Sequence, residues 1–309
     1  MNDRPKILIA GAHGFLGKYV MREFEECFSR KAIVTLGIDR DNDIVCDLTA
    51  DTPVLPEDIE IMVDCVGDCF GPEPRRLNVD ATSRLLDALR DCRLKSFIYF
   101  SSTAVFGNLE GENHNELTPK APVDAVGRSK IEAEELLTSR CRELGASLTV
   151  FYCPSIIGTG MRGYPRRLVN AIYRGFYTHI DGNEARTSVI HASDVAKAAR
   201  LAAIVQPSPD KSFREFIITD GDNPLRHDLA EALAYRLDDK RIFTISLAKA
   251  RRMARLLDLF TFSHKRRDDL KEELSTLTFS CDRLRVALGF EPTPVTTYLR
   301  THDYDENSL

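Results

Sequence analysis

Three glycines spaced three residues apart, Gly11, Gly14 and Gly17, follow the apolar run Ile7 to Ala10. A glycine-rich turn between a strand and a helix aims backbone N–H groups and the positive end of the helix at a bound anion. Gly11 would allow the tight turn, Gly14 would let a pyrophosphate approach the backbone, and Gly17 would let the helix lie close to the sheet. Phe15 and Leu16 open that helix within the same anion-facing turn and, with Val20 and Phe24, mark one apolar face. The spacing departs from the G-x-G-x-x-G of the usual dinucleotide fingerprint, so alone it also suits a purely structural turn. The next apolar stretch, Ala32 to Ile38, ends at Asp39, 22 residues after Gly17. A carboxylate there can accept hydrogen bonds from an adenosine ribose, which favours the dinucleotide. Asp39 favours NAD, since it would repel a 2′-phosphate; Arg40 beside it could tolerate that phosphate and keeps NADP open.

Alternating elements are needed to position these residues. Strands are expected at 6–10, 32–38, 59–66, 95–101 and 147–152, with helices at 14–28, 73–92 and 126–144. The strands are near-continuous apolar runs such as Phe97-Ile98-Tyr99-Phe100, as in a parallel sheet covered by helices on both faces. The fold class is therefore α/β: a Rossmann-type doubly wound parallel sheet, with its ligand at the carboxyl ends of the strands. After residue 160 helices dominate, at 164–175, 193–205, 225–236 and 247–259, with short strands near 188–191 and 214–219. This divides the chain into a dinucleotide-binding domain over 1–160, to which 186–220 returns, and a smaller, mostly helical substrate lobe over 161–309.

Composition narrows the function classes. The chain has 309 residues, 43% hydrophobic and 29% charged, with a net charge of −5, so no global basic field points to nucleic acid. No basic-then-apolar leader and no long apolar run is visible, so a cytoplasmic location without stable membrane insertion is expected. Eight cysteines are scattered without a C-x-x-C pair, so no metal site is expected, and Cys65 and Cys69 read as packing residues near the cofactor. Arg251, Arg252, Arg255 and His264 to Arg267 form a basic stretch that reads as a solvated helical surface, with a membrane-surface role as the lesser alternative.

Further motifs follow in order: Asp47-Leu48, Asn78-Val79, Ser101-Ser102-Thr103-Ala104-Val105-Phe106-Gly107, Gly127-Arg128-Ser129-Lys130, Pro154-Ser155-Ile156-Ile157-Gly158, His191-Ala192-Ser193-Asp194 and Leu288-Gly289-Phe290. The series resembles the extended short-chain dehydrogenase/reductase family, in particular its NAD-dependent epimerase/dehydratase group acting on nucleotide sugars. The resemblance implies NAD or NADP at the glycine turn, the ribose at Asp39 and the adenine at Asp47-Leu48. It implies catalysis by a Ser or Thr, a Tyr and a Lys, with the Lys also binding the nicotinamide ribose. Ser102 matches the Ser and Lys130 the Lys. The Tyr position, four residues before Lys130, is Val126, which has no proton to exchange.

Two further departures are Cys153, where an Arg is common, and Ile157, where a Tyr is common. Substitute acid/base candidates are Tyr152, Tyr164, Tyr173, Tyr177, His114 and His191, the last matching a position that is usually structural. For a substrate diphosphate the candidates are Arg162, Arg166, Arg167 and Arg186, beside Ser102; Arg186 is one residue off the register that Thr187 occupies. The resemblance also implies a homodimer through the helices at 73–92 and 126–144. Three functions remain open: an atypical nucleotide-sugar epimerase, dehydratase or reductase, a non-catalytic dinucleotide-binding sensor or scaffold, and a reductase of a non-sugar carbonyl compound.

Overall fold

The structure is a computed structural model, and it describes residues 5–205, 212–261 and 265–301. The first half runs β1 (Lys6–Ala10), α1 (Phe15–Glu25), β2 (Ile33–Gly37), β3 (Ile44–Val45), β4 (Ile59–Asp64), α2 (Ala81–Ala88), β5 (Ser96–Ser102), β6 (Gly111–His114), α3 (Ala125–Glu143) and β7 (Ser147–Cys153). The second half runs β8 (Ser155–Ile157), α4 (Gly163–Tyr173), β9 (Thr178–Ile180), β10 (Val189–His191), α5 (Ala192–Ile204), β11 (Phe213–Ile217) and α6 (Arg226–Arg236). It ends with β12 (Phe243–Ile245), α7 (Leu247–Thr261), α8 (Lys265–Glu273), β13 (Leu277–Phe279), α9 (Asp282–Leu288) and α10 (Val295–Thr301).

Seven strands form one parallel sheet in the order β3-β2-β1-β4-β5-β7-β11. The expected doubly wound α/β architecture is therefore present. The order reverses between β1 and β4, which opens a crevice at the carboxyl end of β1, where the glycine turn lies. Alternation along each strand feeds two cores. Leu8, Met62, Phe97 and Tyr99 join Leu85, Leu86, Ala133 and Leu137 from α2 and α3. Ile7, Ile9, Val63 and Ile98 join Val20 and Phe24 from α1, and Val195 and Ala199 from α5.

The C-terminal segments distribute between two places. Helix α5 lies against α1, and β11 extends the main sheet beside β7. A third core collects Leu168, Val169 and Ile172 of α4 with Leu229 and Leu233 of α6 and Val295 and Leu299 of α10. The paired short strands β8–β10, β9–β12 and β6–β13 staple these segments together. Among the described residues no helix is long and apolar enough to cross a membrane.

The start of α1 depends on the absence of a side chain. Gly11 has φ +73°, a left-handed conformation, and its N–H donates to the Leu36 carbonyl at 2.7 Å. A Cβ on Gly17 would fall 2.0 Å from the Gly11 carbonyl oxygen and 2.8 Å from the Ala12 backbone. Gly17 thus seats the helix on its own turn, rather than chiefly on the sheet. Replacement Gly17→Ala is expected to lower the unfolding free energy by ~2 kcal/mol or more through this backbone overlap. A lowered urea midpoint at unchanged slope checks it.

Candidate functional site

The glycine turn offers donors and little else. Gly14 is the N-cap of α1, makes no side-chain cap, and no acidic residue stands in the first turn. The first N–H groups of a helix have no partner within it, so those of Phe15, Leu16 and Gly17 are available to an anion. Asp39 sits in the turn after β2 with Oδ2 3.9 Å from His13 Nδ1 of the glycine turn, which brings the ribose candidate beside the pyrophosphate candidate. Arg40 is exposed next to it. Asp47 accepts from the Thr49 N–H and hydroxyl at 2.8 and 2.7 Å, and these bonds hold its carboxyl below the usual range. The exposed apolar side chains of Ile38 and Val54 flank Asp47 in a shallow depression. Leu48 is buried in the core that α2 covers, and its carbonyl accepts from Arg84 of that helix at 3.0 Å.

From this turn a cleft of about 750 Å³ runs along the carboxyl ends of β4, β5 and β7 into the C-terminal lobe. Gly14, Phe15 and Leu16 line one end, Ser102, Val126 and Lys130 the middle, and Arg162, Arg167 and Arg226 the other. Phe70 bridges the two walls: Arg162 lies over its ring at 5.5 Å, and a Cβ on Gly163 would meet that ring at 2.1 Å.

Helix α3 delivers the middle residues. Asp124 caps it through the Gly127 N–H at 2.7 Å, and Gly127 fits where a Cβ would strike the Ala104 carbonyl at 2.5 Å. This contact fixes the register, so position 126 faces the cleft with Lys130 one turn on. Ser102 also lines the cleft, and its Oγ accepts from the Ala104 N–H at 3.2 Å, capping the short turn Thr103–Phe106.

Lys130 is 3% exposed, and its Nζ donates to the Phe100 carbonyl at 2.9 Å and rests over the Tyr99 ring, 4.6 Å from the centroid. A buried ammonium is costly unless neutralised. Asp64, at the end of β4 and in register with Tyr99, lines the same cleft and lies near enough for the two charges to act on each other. Burial works against the lysine charge, but Tyr99, Cys69 and Asp64 more than offset it, so its pKa stands above the ordinary value. Burial pushes Tyr99 up to about 12. Burial also pushes Asp64 up to about 6, against the Val66 N–H bond and the Lys130 charge. Asp64 Oδ2 has no hydrogen bond; the nearby Thr82 hydroxyl donates instead to the Asn78 carbonyl at 2.9 Å.

The other sequence candidates fall in different places. Among the six proposed substitutes for the missing tyrosine, only Tyr164 lines the cleft; it accepts from Arg226 Nη1 at 3.4 Å, and burial lifts it to about 12. Tyr152 is buried against Glu134 and Glu215, Tyr173 is exposed, and Tyr177 donates to Glu273. His114 faces the Glu110 carbonyl, and His191 is fully buried and stacked on Tyr298 at 3.6 Å. Arg186 donates to the Asn223 carbonyl and is not among the cleft-lining residues; Thr187 is, and so is Arg226, which sequence reasoning missed. Arg226 opens α6, and its neighbours Tyr164, Ser275 and Glu273 come from distant segments, so no local signal marks it. Cys65, Cys69 and Cys153 all line the cleft, and burial lifts Cys153 to about 12, which leaves it a thiol. Among the described residues no cluster suits a metal ion.

Residues 7–217 match the sequence model of the NAD dependent epimerase/dehydratase family. UDP-glucose 4-epimerase of Vibrio cholerae is 24% identical over 251 residues, covering 75% of this chain and 76% of that protein. A 4-hydroxy-2-methyl-3-oxo-4-farnesyl-3,4-dihydroquinoline-1-oxide ketoreductase of Stigmatella aurantiaca is 28% identical over 153 residues, 48% of this chain and 44% of that one. The chain spans 33% and 44% of the lengths of the first two curated relatives it matches. The solved structure of MoeE5 in complex with UDP-glucuronic acid and NAD shares the fold, with a TM-score of 0.71, 21% identity and coverage of 96% of this chain and 97% of that one.

The Asp64 environment has a measurable consequence. Its folded pKa of about 6 exceeds the unfolded value of ~3.9, so the native state holds the proton to higher pH than the unfolded state does. Its contribution to stability is therefore full below about pH 4 and lost as pH rises through about 6. Asp64→Asn is expected to remove that part of the slope, measured by urea unfolding from pH 4 to pH 8. An unaltered slope contradicts the assignment.

Proposed function

We propose that this chain, which belongs to the NAD dependent epimerase/dehydratase family, binds a nicotinamide dinucleotide at the Gly11–Gly17 turn and a nucleotide sugar at the arginine end of the same cleft. The observation that carries this reading is the continuity of the cleft, from Gly14 to Leu16 at one end to Arg162, Arg167 and Arg226 at the other. The residues fit the cofactor: the helix start is uncapped by any side chain, and Asp39 stands beside it. Asp39 supports NAD over NADP. Bound there, the dinucleotide supplies a hydride acceptor or donor. Lys130 would hold the nicotinamide ribose, and Ser102 would offer a hydroxyl toward the substrate. The arginines would take the diphosphate through paired N–H donors.

The reaction class is that of an atypical epimerase, dehydratase or reductase whose proton is carried by a group other than residue 126. Tyr164 is the one tyrosine lining the cleft among the described residues, and its contact with Arg226, at the arginine end, supports it as the candidate. Val126 and the inward pairing of Lys130 favour a second reading, a non-catalytic sensor that holds the dinucleotide without using it. The ketoreductase relative supports a third substrate class, a non-sugar carbonyl compound.

Calorimetric titration with NAD, NADH, NADP and NADPH tests the shared premise; NAD or NADH is expected to bind tightest, and no binding of any of the four overturns all three readings. Gly14→Val is expected to abolish that binding, because its side chain would stand where the pyrophosphate approaches. The unmutated protein is then assayed against UDP-, GDP- and dTDP-sugars. Turnover rules out the sensor, whereas activity that appears only in Val126→Tyr indicates a chain that lost its chemistry and kept its cofactor.

A further inference from the structure

Helix α7 presents three faces. Ala250, Ala254 and Asp258, spaced four apart, are buried against the protein. Asp258 is the only acidic residue on the helix, and it is taken up by the Arg266 and Arg267 N–H groups and by Arg267 Nε at 2.9 Å. A second face carries Arg251, Arg252 and Arg255, all exposed. A third carries Met253, Leu256 and Leu257, each nearly half exposed, with Leu259, 68% exposed, toward the arginine side. At 100° per residue, 256, 253 and 257 fall on one arc of about 100°, bordered by Arg252 on one side and by the buried Ala250 on the other, while Leu259 falls among the arginines.

The segments that precede α7 in the chain carry the same pairing of exposed rings and cations. Phe243 of β12 is exposed with Arg241 over its ring at 5.1 Å, and Phe176, just before the partner strand β9, is 78% exposed. Tyr173 is exposed under Lys240. Exposed apolar side chains interleaved with cations are costly in water and suited to a headgroup layer, where the rings and leucines enter the acyl boundary and the cations meet anionic lipid. The local charge also opposes the rest of the molecule: α7 carries Lys249 and three arginines, in a chain of net charge −5. That contrast argues for a partner surface that is itself negative.

We propose that α7, with the aromatic edge at β9 and β12, is an interfacial docking face for anionic membrane lipid. The helix lies in the plane of the headgroups and does not cross the bilayer. The face is joined to the cleft, because α8 lies against α7 and carries Glu272 in its last turn, where that residue lines the cleft. Docking would therefore hold the arginine end of the cleft one helix pair from the membrane. This stands whether or not the cleft turns over a sugar.

Co-sedimentation of the full chain with vesicles of phosphatidylcholine alone, and of phosphatidylcholine with an equal part of phosphatidylglycerol, tests it. Binding is expected only to the anionic vesicles, weakened by salt. The triple variant R251Q/R252Q/R255Q is expected to lose partitioning on the order of a hundredfold. Leu256→Ser with Leu259→Ser is expected to lose it as well, with dinucleotide affinity and thermal unfolding unchanged in both variants. No sedimentation with either vesicle overturns the proposal. So does equal binding to both vesicles that ignores the arginines. A concentration-dependent dimer that the two serine changes abolish, without vesicle binding, assigns the face to a second copy of the chain instead.

Discussion

An ammonium group under the edge of a sheet must be neutralised within a few ångströms, or the helix that carries it will not stay there. In the family that this chain resembles, a tyrosine one turn earlier on the helix faces the lysine from the cleft. Here Val126 takes that position, and the ammonium is met directly by the Phe100 carbonyl and the Tyr99 ring, with the Asp64 carboxylate contributing from the end of β4. The inner arrangement keeps α3 seated on β5, which in turn keeps Ser102, Gly127 and the cleft wall in place. Losing the tyrosine therefore need not cost the fold.

The same substitution separates binding from chemistry. What an anion and a ribose require is built from backbone geometry and short carboxylate reach: the uncapped start of α1, the Gly17 contact with its own turn, and Asp39 near His13. None of these depends on residue 126. Proton transfer requires a titratable group at the reacting centre, which Val126 cannot be, so it would have to come from another residue lining the cleft, such as Tyr164. Lys130 Nζ already donates to the Phe100 carbonyl, so a phenol placed beside it would share that ammonium with an existing acceptor. This is a physical reason to expect a holder of dinucleotide first and a catalyst second.

The main sheet is legible in the sequence because its strands are buried on both faces and read as apolar runs: β1 begins and ends where the pattern does, and β2, β4, β5 and β7 within two residues of it. The short strands β6, β8, β9, β12 and β13 are not legible, because three or four residues carry no periodicity and their partners lie far along the chain. The expected helix at 73–92 is divided into a π-helical stretch at Arg76–Asp80, α2, and a 3-10 turn at Leu89–Asp91. In the π stretch Asn78 points inward, donating to the Asp68 carbonyl and Ser129 Oγ, a demand invisible to hydrophobic patterning. At the site, the glycines and Ser102 are legible from order and spacing. Asp64 could have been found as the one charge in an apolar strand end, while Arg226 could not, since its meaning depends on three segments meeting it.

Lys130, held by the Phe100 carbonyl and the Tyr99 ring, is the side chain proposed to bind the nicotinamide ribose. Titration with NADH, followed by nicotinamide fluorescence, compares the unmutated protein with Lys130→Met. The account predicts saturable binding by the unmutated chain and at least roughly tenfold weaker binding by the folded variant, the order of one lost charged hydrogen bond. Equal affinity in the two would contradict it.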